Sequence, residues 1–196
     1  MGAPSVIVLA GPNGAGKSTA APSLLRGTLA VDHFVNADEI ARGLSAFAPE
    51  STAVQAGRIM LARIKQLAAA RADFAFETTL ASRSFAHWLR SLIATGYEFH
   101  LVFLWLPSAD LAVARVADRV LHGGHHVPED VIRRRYAAGM RNFQTLYRPL
   151  AANWHVYNNV RRDHLRIVAG GSGPEVRLVK RPAAWRRFQG QAGDSR

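Results

Sequence analysis

The sequence predicts an α/β fold: a five-stranded parallel sheet with helices on both faces, a small helical lid and a C-terminal β-hairpin. Three observations predict it. The runs Val6–Ala10 and Phe99–Leu106 are apolar without alternation, as strands buried on both faces are. Segments with helical spacing separate the strand-like runs, the order that a parallel sheet with crossover helices requires. A glycine-rich turn follows the first run directly and leads into a helix.

In chain order, Val6–Ala10 is the first strand, and a helix runs through Leu24 and Leu25. His33–Asn36 is a short second strand. Asp38 and Glu39 open a short helix, with acids at its positive end. Thr52–Ala72 is a long amphipathic helix with Met60, Ile64 and Leu67 on one face. Phe74–Glu77 is the third strand, and Phe85, Trp88, Leu89 and Leu92 recur at helical spacing after it. Phe99–Leu106 is the fourth strand, stopped by Pro107, and Asp110–Leu121 is helical. Gly123-Gly124-His125-His126 breaks that helix, and Pro128 starts another. Trp154–Tyr157 is the fifth strand. Arg166–Val168 and Val176–Val179 flank Gly170–Gly173 as a hairpin. The last residues, with Gly190, Gly193 and Asp194, read as frayed.

Composition bounds the function. The 196 residues suit one domain with a substantial core. There is no cysteine, which excludes disulfides and thiol chemistry. The first strand starts by Ser5, so no signal peptide is expected ahead of it, and no apolar stretch has the length of a membrane span. The expected location is the cytoplasm. The net charge is +11, and residues 161–196 hold nine Lys or Arg against three acids. Such a field attracts nucleotides, sugar phosphates or nucleic acid. The basic residues are interleaved with Ala and Leu and carry no nucleic-acid motif, so nucleic acid is not the expected partner.

The chemistry starts at Gly11-Pro12-Asn13-Gly14-Ala15-Gly16-Lys17-Ser18, which fits G-x-x-x-x-G-K-[ST] between a strand and a helix. Successive N–H groups of such a loop converge on the β-phosphate at the positive end of the next helix. Lys17 bridges the β- and γ-phosphates, and the Ser18 hydroxyl ligates Mg²⁺. The pattern implies a P-loop NTPase fold that takes ATP or GTP. Two carboxylates end strands at the same rim: Asp38 just past the second and Glu77 at the end of the third. A phosphotransferase needs a group to orient and deprotonate its acceptor hydroxyl. Asp38 fits that role or that of a helix N-cap. Glu77 fits a hydrogen-bond acceptor or a ligand to Mg²⁺-bound water. Thr78 and Thr79 could bond substrate or cap a turn.

Arg115 and Arg119 sit one helical turn apart before the Gly123-Gly124 break, and Arg133, Arg134 and Arg135 follow it. Ile132, Tyr136, Met140 and Phe143 form the apolar face of the second helix. Arg133 and Arg135 flank that face and Arg134 points opposite it. The two arms read as a mobile hairpin carrying cations that could close over a γ-phosphate, or as a solvated charged surface. His125-His126 lacks further ligands at metal spacing and reads as loop.

Taken together and in order, several segments resemble the zeta-toxin family of P-loop kinases. They are Gly11–Thr19, Asn36-Ala37-Asp38, Phe76-Glu77-Thr78-Thr79, Arg119 with Gly123-Gly124-His125 and Val127-Pro128, Arg134-Arg135-Tyr136, and Trp154–Asn159. The family is described as ATP-dependent kinases of UDP-N-acetylglucosamine. The resemblance implies that Gly11–Thr19 holds ATP with Mg²⁺, that Asp38 is the general base, and that Glu77 contacts the acceptor. Arg119 and one of Arg134 and Arg135, preferably Arg135, would clamp the phosphates. It also implies a small-molecule acceptor, a nucleotide sugar, and allows an antitoxin partner. On this reading residues 1–160 form a kinase domain with its lid at about 115–136, and residues 161–196 form a basic hairpin and tail on it. A kinase of another acceptor (a nucleoside, an antibiotic or a polynucleotide end) keeps the same residues. A non-catalytic nucleotide-dependent module on nucleic acid would not need Asp38.

Overall fold

The computed structural model describes residues 2–28, 31–45, 49–161 and 164–193. Seven strands form one sheet, in the order β2-β3-β1-β4-β5-β6-β7. These are β1 (Ser5–Ala10), β2 (His33–Val35), β3 (Phe74–Thr78), β4 (Glu98–Trp105), β5 (Asn153–Asn158), β6 (Arg166–Ser172) and β7 (Glu175–Val179). The first five are mutually parallel, as the unalternating apolar runs require, and β6 and β7 are antiparallel. The hairpin is therefore not an appendage: it extends the sheet by two strands. Its turn lies later than expected. Gly170 and Gly171 are inside β6 because nothing larger fits. A Cβ on Gly170 would lie 2.7 Å from Cδ2 of His155, and one on Gly171 would run into the Glu175 carbonyl.

β1 lies between β3 and β4, so the chain leaves it in one direction and later returns on its other side. This is the switch point at which open α/β sheets bind ligands, beyond the carboxyl ends of the strands. The helices α1 (Lys17–Ala21), α2 (Ala37–Leu44), α3 (Ala53–Ala69), α4 (Ser84–Ala94), α5 (Ala109–Leu121) and α6 (Glu129–Asn142) connect the strands around the sheet. Helix α1 is short and widens into π turns over Pro22–Thr28. Pro128 caps α6 rather than opening it.

By register Val6 and Val8 of β1 stand beside Phe74 and Phe76 of β3, while Ala10 stands beside Phe103 of β4, so these residues share a face. Trp88 of α4 lies 6.2 Å from Phe74, and Phe85 5.2 Å from Phe76. Phe143, just past α6, lies 4.9 Å from Phe103. The tail completes this cluster. Gly190 and Gly193, expected to fray, end a helix, α7 (Pro182–Gly193), whose Trp185 and Phe188 are buried. Burying two aromatic rings outweighs the weak helix propensity of the tail glycines. Asp194 lies outside the described residues. Among the described residues no helix is long and apolar enough to cross a membrane.

Candidate active site

A cleft of about 590 Å³ opens at the carboxyl ends of the strands, around the loop after β1. The loop needs its glycines. Gly14 and Gly16 have φ of 75° and 77°, where a side chain is strained. A Cβ on Gly16 would also sit 2.8 Å from Nδ2 of Asn159. The Ala15 N–H donates to the Pro12 carbonyl at 3.1 Å and closes the turn. Lys17 is buried and spans the loop, donating from Nζ to the carbonyls of Gly11 (2.9 Å) and Pro12 (3.0 Å). Its ammonium is thus held in place before any phosphate arrives.

Glu77 reaches this ammonium from the end of β3, with Oε1 at 3.5 Å from Nζ. Its Oε2 accepts from the Ser18 hydroxyl at 2.9 Å and from Nδ2 of Asn36 at 3.0 Å. The register of β3 beside β1 fixes this: Leu9 pairs with Glu77 and Ala10 with Thr78, which puts the carboxylate next to the loop. Asn36, between β2 and α2, caps α2 by accepting from the Asp38 N–H at 2.8 Å. The N-cap is therefore Asn36, and Asp38 sits inside the first turn. Asp38 is half-buried on the cleft wall, and its carboxylate makes no hydrogen bond or ion pair among the described residues.

The other wall comes from α5 and α6. Arg119 and Arg135 both line the cleft, while Arg134 is exposed and not among its lining residues. Arg119 Nη2 donates to the His125 carbonyl at 2.5 Å, so the Gly123-Gly124 turn orients this guanidinium. Arg115 also lines the cleft, but it is buried and donates to the Val160 carbonyl at 2.6 Å. It is a fixed wall rather than a lid cation. Arg133 faces outward, joining α6 to α5 through Asp110 at 2.6 Å. Thr78 and Thr79 line the cleft and also close the turn after β3, their hydroxyls accepting from the N–H groups of Leu80 (3.1 Å) and Ala81 (3.4 Å).

Sequence reasoning gave no role to several lining residues, among them Asn36, Asn159 and Arg42, although the first two lie in segments that carry the family resemblance. Asn36 ties Asp38 to Glu77. Asn159, after β5, donates to the Ala15 carbonyl at 2.7 Å and braces the loop from behind. Arg42 follows Asp38 by one helical turn and is held by Glu39 at 2.8 Å. Arg42 had a readable signal in its i,i+4 spacing from Asp38 on one helix, and Asn36 and Asn159 in their place within the resembling segments.

Among the described residues no group of three or more His, Cys, Asp or Glu could hold a metal ion by itself. A hard cation that retains waters and binds substrate phosphates needs no such cage. The oxygen donors of Ser18 and Glu77, 2.9 Å apart beside the loop, fit Mg²⁺ in that mode.

The profile of a family described as an AAA domain matches residues 6–146. The chain belongs to that AAA-domain family. The match runs from β1 to the turn after α6 and contains Lys17, Asp38, Glu77, Arg119 and Arg135, leaving β5–β7 and α7 outside it. The chain is 29% identical over 132 residues to an uncharacterized protein of Haemophilus influenzae, covering 66% of this chain and 91% of that one. Two solved complexes have a similar fold. One is AvrRxo1-ORF1:AvrRxo1-ORF2 with sulphate ions, at a TM-score of 0.73 and 15% identity, covering 95% of this chain and 64% of that one. The same complex with ATP gives 0.71 and 16%. The other is the PezAT chromosomal toxin–antitoxin system of Streptococcus pneumoniae, at 0.60 and 16%, covering 84% and 70%. This chain thus spans just under two thirds of the chain it resembles in the AvrRxo1 complex. The AAA domain here has an α/β P-loop kinase-like fold.

Proposed function

We propose that the protein is an ATP-dependent phosphotransferase that moves the γ-phosphate to a hydroxyl of a nucleotide sugar, UDP-N-acetylglucosamine. One observation carries the reading: Asp38, a carboxylate without a hydrogen-bond or ion-pair partner among the described residues, shares a cleft with the Lys17 loop and with Arg119 and Arg135. A nucleotide-binding module has no need of the first of these. ATP rather than GTP is favoured as donor because the similar AvrRxo1 complex holds ATP.

The residues divide the work as follows. The loop N–H groups and Lys17 bind the β- and γ-phosphates. Ser18, and Glu77 through water, would hold Mg²⁺, which when bound neutralises charge between those phosphates. The acceptor hydroxyl stands at Asp38, which takes its proton as the new O–P bond forms and ADP leaves. Arg119 and Arg135 meet the charge that spreads over the transferring oxygens. They belong to a lid made of the Arg119 end of α5, the Gly123-Gly124 turn and the start of α6, which closes when both ligands are bound. Glu77 is assigned to the metal side, since its oxygens already engage Ser18 and Lys17. An acceptor contact through Thr78 or Thr79 remains compatible with that.

Among the described residues, five cationic side chains line the cleft (Lys17, Arg42, Arg115, Arg119 and Arg135) against two carboxylates. That surplus exceeds what a magnesium-bound triphosphate neutralises and suits an acceptor that carries its own diphosphate. The likeness to PezAT and to the AvrRxo1 pair supports a small protein partner, an antitoxin, as a further proposal.

The test is incubation with ATP, Mg²⁺ and a panel of alcohols that includes UDP-N-acetylglucosamine, read by mass spectrometry, with Lys17→Ala as the inactive control. A Lys17-dependent product heavier by one phosphate supports the assignment. Phosphorylation of a different alcohol keeps the kinase and removes the nucleotide sugar. Turnover by the Lys17→Ala protein removes the P-loop mechanism.

A further inference from the structure

Three parts of the cleft meet at one side chain that the reading above leaves without a role. Asn36 is only 5% exposed, and its planar amide is used at both ends. Oδ1 accepts from the Asp38 N–H at 2.8 Å, which fixes the first turn of α2. Nδ2 donates to the Ser18 hydroxyl at 3.2 Å and to Oε2 of Glu77 at 3.0 Å. Capping a helix requires only the oxygen, and Ser or Asp would serve as well. Neither could do the second job. A serine hydroxyl is too short to span both contacts, and an aspartate would face Glu77 as a like charge. The donor end is therefore what singles out asparagine at this position.

We propose that Asn36 is a positioning residue that couples the phosphate and metal side of the cleft to the proton-accepting side. This rests on the phosphotransferase reading above. Ser18 and Glu77 are the groups that must adjust when a metal-bound triphosphate enters. Because a rigid amide links them to the turn that carries Asp38, their adjustment sets the position of the Asp38 carboxylate. A misplacement of the order of 1 Å at a reacting group can cost about a hundredfold in rate, so the link has consequences out of proportion to its bond strengths.

The experiment compares Asn36→Ser and Asn36→Asp, which keep the cap oxygen and lose the amide donor that reaches Ser18 and Glu77, with Asn36→Ala, which loses both. Three quantities are read: thermal stability, the Mg²⁺ concentration for half-maximal ATP binding without acceptor, and kcat with KM for ATP at saturating Mg²⁺. The expected result for Asn36→Ser is stability close to wild type, a Mg²⁺ midpoint raised about threefold or more, and kcat lowered about tenfold or more at little-changed KM. For Asn36→Asp, a second carboxylate facing Glu77 replaces the amide donor, so the Mg²⁺ midpoint departs from wild type and kcat falls as in Asn36→Ser. Asn36→Asp also covers the case in which Asn36→Ser does not fold. Wild-type Mg²⁺ midpoints and turnover in both cap-preserving variants overturn the proposal and leave Asn36 as a helix cap. Failure of the wild-type protein to phosphorylate any acceptor removes the phosphotransferase reading alone. The Mg²⁺ midpoint needs no acceptor, so a shift in it still supports the Asn36 link and an unchanged midpoint still overturns it.

Discussion

Replacing Phe188 by alanine tests whether the tail belongs to the core. The side chain is fully buried, and its ring lies 5.2 Å from Phe143, 5.4 Å from Trp185, 5.6 Å from Phe103 and 5.8 Å from Trp105. Truncating a buried phenyl ring costs about 3–5 kcal/mol, and aromatic pairs contribute about 0.5–1.5 kcal/mol each beyond burial. With four such partners the upper part of that range applies, about 4–5 kcal/mol, against a total of about 5–15 kcal/mol for an ordinary domain. For a chain of this size each kcal/mol lowers Tm by about 2–4 °C, so a fall of roughly 8–20 °C is expected. Urea denaturation with fluorescence detection measures the free energy and a thermal melt measures Tm, and Phe188→Leu, which keeps most of the volume, should lose far less. The effect should reach the cleft. On the same helix Gln191 accepts from Nε1 of Trp105 at 2.9 Å and from the Tyr136 hydroxyl at 3.1 Å, and Tyr136 follows Arg135 on α6. A loss below about 1 kcal/mol, the size of an ordinary surface substitution, would show that α7 is not seated on the core and refute this reasoning.

Asp38→Asn should lower kcat by about 10²–10⁴-fold while ATP affinity stays near wild type, because the base acts on the acceptor. A collapse of Mg²⁺–ATP binding in a titration would move Asp38 to the metal side. Arg119→Ala should lower kcat more than it weakens ATP binding, the sign of an interaction made mainly in the transition state, and steady-state kinetics separates the two. Burial pushes the Tyr136 and Tyr147 hydroxyls up to about 12 from an ordinary 10.0. Since the folded state holds these protons more tightly, their contribution is complete below pH 10 and is lost as pH rises toward 12. Stability should fall over that window by about 1.4 kcal/mol per pH unit for each tyrosine, measured by denaturation at stepped pH.

How legible each part was follows from how far apart its partners lie in sequence. The phosphate loop could be read completely, because Gly14, Gly16, Lys17 and Ser18 act through local backbone geometry. The positions of Asp38 and Glu77 could be read from strand ends, since parallel strands deliver their carboxyl termini to one rim. Their partners could not. Asn36 meets Glu77 across 41 positions, and Asn159 meets Ala15 across 144. Such pairs leave no periodic trace. Arg115 illustrates the same limit: its spacing from Arg119 matched a lid, but burial and the Val160 carbonyl hold it in the wall.

The sequence by itself determined the α/β class, the five parallel strands and the phosphate loop. These depend on the local alternation of apolar runs, helical periods and glycine conformations. The tertiary structure alone decided that the hairpin extends the sheet and that α7 closes the aromatic core. It also decided that Glu77 engages Ser18 and Lys17, while the placement of Arg135 rather than Arg134 on the cleft follows the helical spacing already legible in the sequence. The physical reason is that strand register and ring packing are settled between distant segments. A tail with weak helix propensity becomes a helix only when Phe103, Phe143 and Trp154 are present to bury its rings.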